Sequence, residues 1–223
     1  MKHAEASIKN IKKALAEMWV LVEGQVDKAG LALLENNKDY ANEVISREKM
    51  VNSYELVIDR ECENFFALLT PVAVDLRLIL SVVKINNNLE RIGDFAEGIS
   101  RFIAEGRLDK ITPAMKEELR LEQMFIEVSD MLSLCKHALA NEDPVVAGKV
   151  FAKDNLVDEI NISSLELITK YIKTDTDILP DALILTSAIR RIERIGDRCS
   201  NIAEDIVFYV EAKVLKHIHK KEE

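Results

Sequence analysis

The sequence predicts an all-α protein built as two tandem, pseudo-symmetric three-helix bundles with six long helices. Three observations carry that reading. Glycine and proline number only 7 and 4 in 223 residues, about 5% against roughly 12% in average proteins, so turns are too few for a sheet of many short strands. Apolar residues recur at three- and four-residue spacing over long segments, the period of a helix with one buried face. The chain also repeats itself, which constrains architecture ahead of any local feature.

The first helix is expected over 4–36 and, at about 1.5 Å per residue, would be roughly 50 Å long. The second follows over 39–69. Pro71 introduces the third, 72–105, where Leu78, Ile85, Ile92 and Ile99 recur every seven residues with Val82, Leu89, Ala96 and Ile103 four further on. That is a bundle-packing stripe. The fourth helix is placed at 113–141, the fifth at 144–173 and the sixth at 178–218. Pro113, Pro144 and Pro180 fall at their starts, where the ring is compatible with a first turn but not with an interior.

Shifted by 106 residues, Met18 falls on Met124, Val22 on Val128, Ala32 on Ala138, Leu33 on Leu139, Ala41 on Ala147, Val44 on Val150 and Val51 on Val157. Shifted by 103, Glu90-Arg91-Ile92-Gly93-Asp94 matches Glu193-Arg194-Ile195-Gly196-Asp197 at every position, and Ile99 falls on Ile202. The units are expected at about 1–107 and 112–223, joined by Gly106-Arg107-Leu108-Asp109-Lys110-Ile111.

The formal charge of -9 argues against a nucleic-acid partner, because phosphate contacts need clustered Lys and Arg. The basic clusters, Lys12-Lys13, Arg190-Arg191 and the tail Lys216, Lys220 and Lys221, are small enough to be solvated helix faces or ends. No stretch approaches eighteen uncharged apolar residues, so no membrane insertion is expected, and the charged N-terminus does not read as a signal segment. Cys62, Cys135 and Cys199 are scattered and without C-x-x-C spacing, which suits buried thiols in a reducing cytosol better than disulfides or a thiolate zinc site.

Glu90 and Asp94 lie one helical turn apart on one face, and Glu97 continues the line. At 100° per residue this line stands about 140–200° from the Ile85, Ile92 and Ile99 stripe, so it is expected to point outward as a carboxylate ridge. Glu193 and Asp197 repeat the geometry, extended by Asn201 and Glu204. A second acidic series precedes each: Glu48, Asn52, Glu55 and Asp59 in the first unit, Asp154 and Asp158 in the second. If the second and third helices of a unit pack side by side, oxygen ligands from both converge. Such a patch repels itself until a cation enters, and oxygen-rich sites suit Mg, Ca, Mn or Fe rather than thiolate-bound zinc. Carboxylates four apart are also common on solvated faces, where Arg91 or Arg194 could neutralise them. The joint duplication of Glu, Arg, Gly and Asp favours the ion site. Gly93 and Gly196, each costing about 0.5–1 kcal/mol relative to Ala inside a helix, imply a close approach, for which tight helix crossing is the simpler cause than a ligand role.

Other chemistries are disfavoured. Ferritin-like di-iron sites need Glu-x-x-His, and Leu134, Val214 and Lys216 precede His137, His217 and His219 by three residues. His137 reads as a boundary core residue, and His217 and His219 as a solvated end. G-x-S-x-G, G-x-x-x-x-G-K-[ST] and G-x-G-x-x-G are all missing from the sequence. No covalent chemistry is expected.

Pro71-Val72-Ala73-Val74-Asp75-Leu76-Arg77, then Leu89-Glu90-Arg91-Ile92-Gly93-Asp94, then Glu193-Arg194-Ile195-Gly196-Asp197 with Ser200-Asn201-Ile202-Ala203-Glu204, resembles the PhoU family of phosphate-signalling regulators over nearly the whole chain. The resemblance implies an E/D-x-x-x-D motif in each repeat that binds metal ions, as iron clusters in some members, with Mg, Ca, Mn or Zn as alternatives. Carried over by position, the first site would use Glu90 and Asp94 with Glu48, Asn52 and Glu55, and the second Glu193 and Asp197 with Asp154 and Asp158. It also implies a cytoplasmic, non-enzymatic negative regulator, peripherally associated with membrane complexes, that links the phosphate ABC transporter, through its ATPase PstB, to the sensor kinase PhoR. Leftover apolar surface on thin bundles points to a homodimer. The chain departs from the family's pattern at Phe95 and Arg198, where His or another polar residue is frequent. It departs again at Asn52, where an acid is frequent, and at Gly98, where the second repeat keeps Asn201. An alternative role is regulatory partner, in trans, of a sodium-phosphate or other ion transporter. A metal-dependent hydrolase is disfavoured, because no general base accompanies the carboxylates.

Overall fold

The computed structural model describes residues 2–214. The expectations for Lys216, His217, His219, Lys220 and Lys221 lie outside the described residues. Among those described, regular structure is entirely helical: α1 (Lys2–Glu35), α2 (Lys38–Leu68), α3 (Ala73–Ala104), α4 (Pro113–Glu118), α5 (Leu121–Asn141), α6 (Pro144–Thr174) and α7 (Leu179–Glu211), with a 3-10 turn at Thr176–Ile178. The all-α, two-repeat architecture is as the sequence predicts.

Local chemistry sets the boundaries, and it too is repeated. Asn36 and Glu142 both take left-handed backbone, with φ of 52° and 53°, to end α1 and α5. The next residue then caps the next helix. Asn37 accepts from the backbone N–H groups of Asp39 and Tyr40, and Asp143 accepts from those of Val145 and Val146. A 106-residue shift carries each of these residues onto its counterpart, so the turn chemistry has been duplicated along with the helices.

Two expected boundaries are corrected. The helix expected over 113–141 is broken between α4 and α5, where Arg120 adopts a φ of 55°. Leu119 and Leu121 stand about 200° apart on a continuous helix, so one would face solvent; with the break, both are buried at 1% and 0% exposure. Buried Lys116 on α4 also donates to the carbonyl of Leu34, answering an otherwise open C-terminal carbonyl of α1. The last helix, expected to reach 218, stops at Glu211, where Ala212 turns left-handed at φ 57°.

Apolar periodicity decides the packing. Every member of the α3 stripe, from Leu78 to Ile103, is at most 4% exposed. α2 lies against α1 and α3, α6 lies against α5 and α7, and the two repeats join along α3 with α7 and α1 with α5. These junctions are antiparallel. Arg77 Nε and Ser81 Oγ donate to the carbonyls of Tyr209 and Asp205, while Lys136 and Ser129 donate to Glu23 and Asp27. The seams between α2 and α3, and between α6 and α7, therefore each lie within one repeat, and both carry the acidic residues. The three cysteines are buried and unpaired, as expected. His137 is exposed, not at the core boundary as expected.

Candidate functional site

In the first repeat the α2–α3 seam brings Glu48 and Glu55 of α2 together with Glu90, Asp94 and Glu97 of α3. Glu48 is only 8% exposed. Its Oε2 accepts from Gln25 Nε2 of α1 at 2.8 Å, and its Oε1 is buried with no hydrogen-bond partner. Burial raises its pKa to about 7; the Gln25 hydrogen bond opposes the rise, and Asp94 and Glu97 add to it. Glu90 is also raised to about 7, first by burial, then by Asp94 and Glu55, with Arg91 opposing and Glu48 adding. Its buried Oε2 lies 3.5 Å from Arg91 Nε, yet it accepts no hydrogen bond. Glu55 is raised by burial and then by Asp59, whose carboxylate is held by Asn86 at 2.9 Å. Asp94 pairs with Arg91 at 3.1 Å. Asn52 is exposed and hydrogen-bonds none of these groups.

The second repeat builds the counterpart between α6 and α7. Burial lifts Asp154 to about 6; the Ser200 hydroxyl, donating at 2.7 Å, opposes this, and Asp158 and Asp197 reinforce it. Asp158 is raised by burial and then Asp197, and Glu193 by burial and then Asp197. Arg194 stands 3.7 Å from Asp197.

The expected outward ridge is corrected by this geometry. The side chains of Glu90 and Glu193 are only 14% and 21% exposed, because α2 and α6 pack beside the acidic line, while Asp94 and Asp197 one turn on stay 39% and 42% exposed. The glycines explain how. A Cβ on Gly93 would lie 3.0 Å from Gln25 Oε1 and 3.3 Å from Glu48 Oε2, and one on Gly196 would lie 2.9 Å from Asp154 Oδ1. What comes close is the Gln25 amide with the Glu48 carboxylate at Gly93, and the Asp154 carboxylate at Gly196, each set against the α3 or α7 backbone.

Sequence reasoning missed Gln25, Glu97 as a neighbour of Glu48, and Ser200. Gln25 carried a signal: it is a polar residue inside the apolar run of Val22 and Val26, and it is fully buried. Glu97 and Ser200 are repeat counterparts, so the second repeat has a hydroxyl donor where the first has a fifth carboxylate. As the side chains stand, no three Asp, Glu, His or Cys groups among the described residues are gathered closely enough to hold one ion. Donor chemistry nevertheless suits a hard cation: the donors are oxygens, two carboxylate oxygens of the first site lack partners, and burial with like charge disfavours ionisation of the bare site.

A tandem-repeat helical protein with one half-buried carboxylate cluster per repeat is the class these features define. The PhoU domain profile matches residues 15–103 and again residues 121–206, and the chain belongs to the PhoU family. It is similar to the phosphate-specific transport system accessory protein PhoU of Escherichia coli (strain K12), 32% identical over 213 residues covering 96% of this chain and 87% of that one. The PhoU homolog of Aquifex aeolicus is 32% identical over 218 residues, covering 96% of each chain. Among solved structures, the crystal structure of PhoU from Pseudomonas aeruginosa superposes with a TM-score of 0.89 at 31% identity, covering 94% of this chain and 99% of that one.

Proposed function

We propose that this protein is an accessory regulator of a phosphate-specific transport system that holds phosphate-starvation signalling off when phosphate is plentiful. The full-length similarity to accessory proteins of that name carries the reading. In it, the chain is a cytoplasmic, non-enzymatic adaptor between the transporter ATPase PstB and the sensor kinase PhoR, acting as a homodimer. Support for a docking role comes from apolar side chains that stay exposed at matched repeat positions: Leu56 with Ile162, Leu76 with Leu179, and Leu80 with Leu183. Retained twice, they suit a partner surface better than chance exposure does. No described helix is long and apolar enough to cross a membrane, so contact with a transporter would be made from its surface.

Metal ions belong to the same proposal. Glu48, Glu55, Glu90 and Asp94, with Asn52 beside them, would hold a cation in the first repeat, and Asp154, Asp158, Glu193 and Asp197 one in the second. A bound ion, iron or alternatively Mg, Ca, Mn or Zn, supplies positive charge that neutralises each cluster. Gln25 and Ser200 orient Glu48 and Asp154 by hydrogen bonds. Deleting the gene tests the regulatory role: expression of phosphate-starvation genes should become constitutive in high phosphate, and unchanged phosphate-responsive expression would refute it. If the deletion alters sodium-coupled uptake and leaves starvation genes untouched, a sodium-phosphate or other ion transporter takes the place of PstB and PhoR.

A further inference from the structure

α3 and α7 cross where the two repeats meet, and the 103-residue shift carries that contact onto itself: Gly98 falls on Asn201, and Arg191 falls back on Asn88. The two copies are filled differently. On one side the Arg191 guanidinium occupies the space that a Cβ on Gly98 would need, and its Cζ lies 4.9 Å from the centre of the Phe102 ring. On the other side the short Asn88 stands in place of the long arginine. There a cleft of about 510 Å³ stays open, lined by Asp59 of α2, by α3 and by α7.

The walls have changed along with the plug. By the repeat shifts, Arg198, Asp205, Glu204 and Asp59 at the open cleft are the counterparts of Phe95, Phe102, Arg101 and Leu165. At three of these positions a charge stands where the closed side has an aromatic or aliphatic group, and at the fourth the sign is reversed, from Arg101 to Glu204. Lys84 is held by Asp205 at 2.9 Å, and Asn86 donates to Asp59. Arg198 Nε is buried and has no acceptor, which is costly for a donor removed from water.

We propose that this cleft binds a small zwitterionic ligand of the amino-acid class, its oxyanion accepting from Arg198 and its cationic group lying between Asp59 and Glu204. A bare anion such as phosphate is poorly matched, since Asp59, Glu204 and Asp205 outnumber Lys84 and Arg198. A bare cation is poorly matched too, because it would share the cleft with the Arg198 and Lys84 cations and bring no anion to them. The inference is independent of the metal sites and of the regulatory role.

The test is titration of the ¹⁵N-labelled full chain with L-arginine, with agmatine, which keeps the guanidinium but lacks the carboxylate, with inorganic phosphate, and with a mixture of the common amino acids. L-arginine or the mixture should shift the amides of 84–88 and 198–205 saturably, with Kd on the order of 1 mM, and agmatine and phosphate should bind at least about tenfold more weakly. Arg198→Gln should abolish the shifts. The double variant N88R/N201G, which copies the Arg191–Gly98 arrangement already present in this fold, should plug the cleft and abolish them while leaving the circular dichroism spectrum unchanged. The proposal is overturned if neither L-arginine nor the mixture moves these amides. It is equally overturned if phosphate or agmatine binds as tightly as L-arginine, or if a folded N88R/N201G protein still binds.

Discussion

Glu48 and Glu90 show how two side chains with ordinary chemistry become unusual by placement. Each is raised from 4.5 to about 7, and Asp154 from 3.8 to about 6, with burial the largest cause in all three. A raised carboxylate binds more protons folded than unfolded, so its contribution to stability is complete below the unfolded pKa and is lost as pH rises through the folded one. The metal-free protein should therefore lose stability between about pH 4 and pH 7, read as a falling denaturation midpoint at fixed ionic strength. Glu48→Gln combined with Glu90→Gln should flatten that slope. Gly93 makes a second residue-scale prediction. In Gly93→Ala, the helix gain of about 0.5–1 kcal/mol opposes the crowding of Gln25 Oε1 and Glu48 Oε2 at 3.0 and 3.3 Å. Thermal melts should move little, while metal titration should lose the first-repeat site.

At the scale of the helices, the duplicated caps are the clearest test that the repeats are built alike. Asn37→Ala and Asp143→Ala each remove a side-chain oxygen that accepts two backbone N–H groups, and each should cost about 1 kcal/mol in chemical denaturation. Ala212→Gly should raise stability by a few tenths to about 1 kcal/mol, because the left-handed φ of 57° at the end of α7 strains a residue bearing a Cβ. The helices themselves were legible in the sequence, since the α3 stripe and its buried residues coincide. The break at Arg120 was not, because Arg carries no turn preference. It follows from the need to bury both Leu119 and Leu121, which only the assembled bundle imposes. The acidic residues were legible as a motif, but their burial was not. A single-helix projection places Glu90 opposite the Ile stripe and cannot show that α2 covers that face. Gln25 of α1 and Ser200 of α7 entered the sites through tertiary packing, Gln25 across nearly a full helix of intervening chain.

For the whole molecule, the repeat relation orders the inferences. It places one carboxylate cluster in each half, keeps exposed apolar side chains at matched positions, and fails at the α3–α7 crossing, where one side is plugged and the other open. The halves also differ at their acidic seams, with Glu97 in the first where Ser200 stands in the second, so the first should respond more strongly to a neutralising ion. If each cluster holds a cation, binding to the folded state alone stabilises it, by about 2.7 kcal/mol per site at a hundredfold excess over Kd. The most direct measurement is calorimetric titration of the purified, metal-free protein with manganese(II) and iron(II), beside the folded double variant Glu90→Ala/Glu193→Ala. Saturable binding at two sites per chain that the double variant loses is the predicted result; binding that survives both substitutions, or none in the wild-type protein, would contradict it.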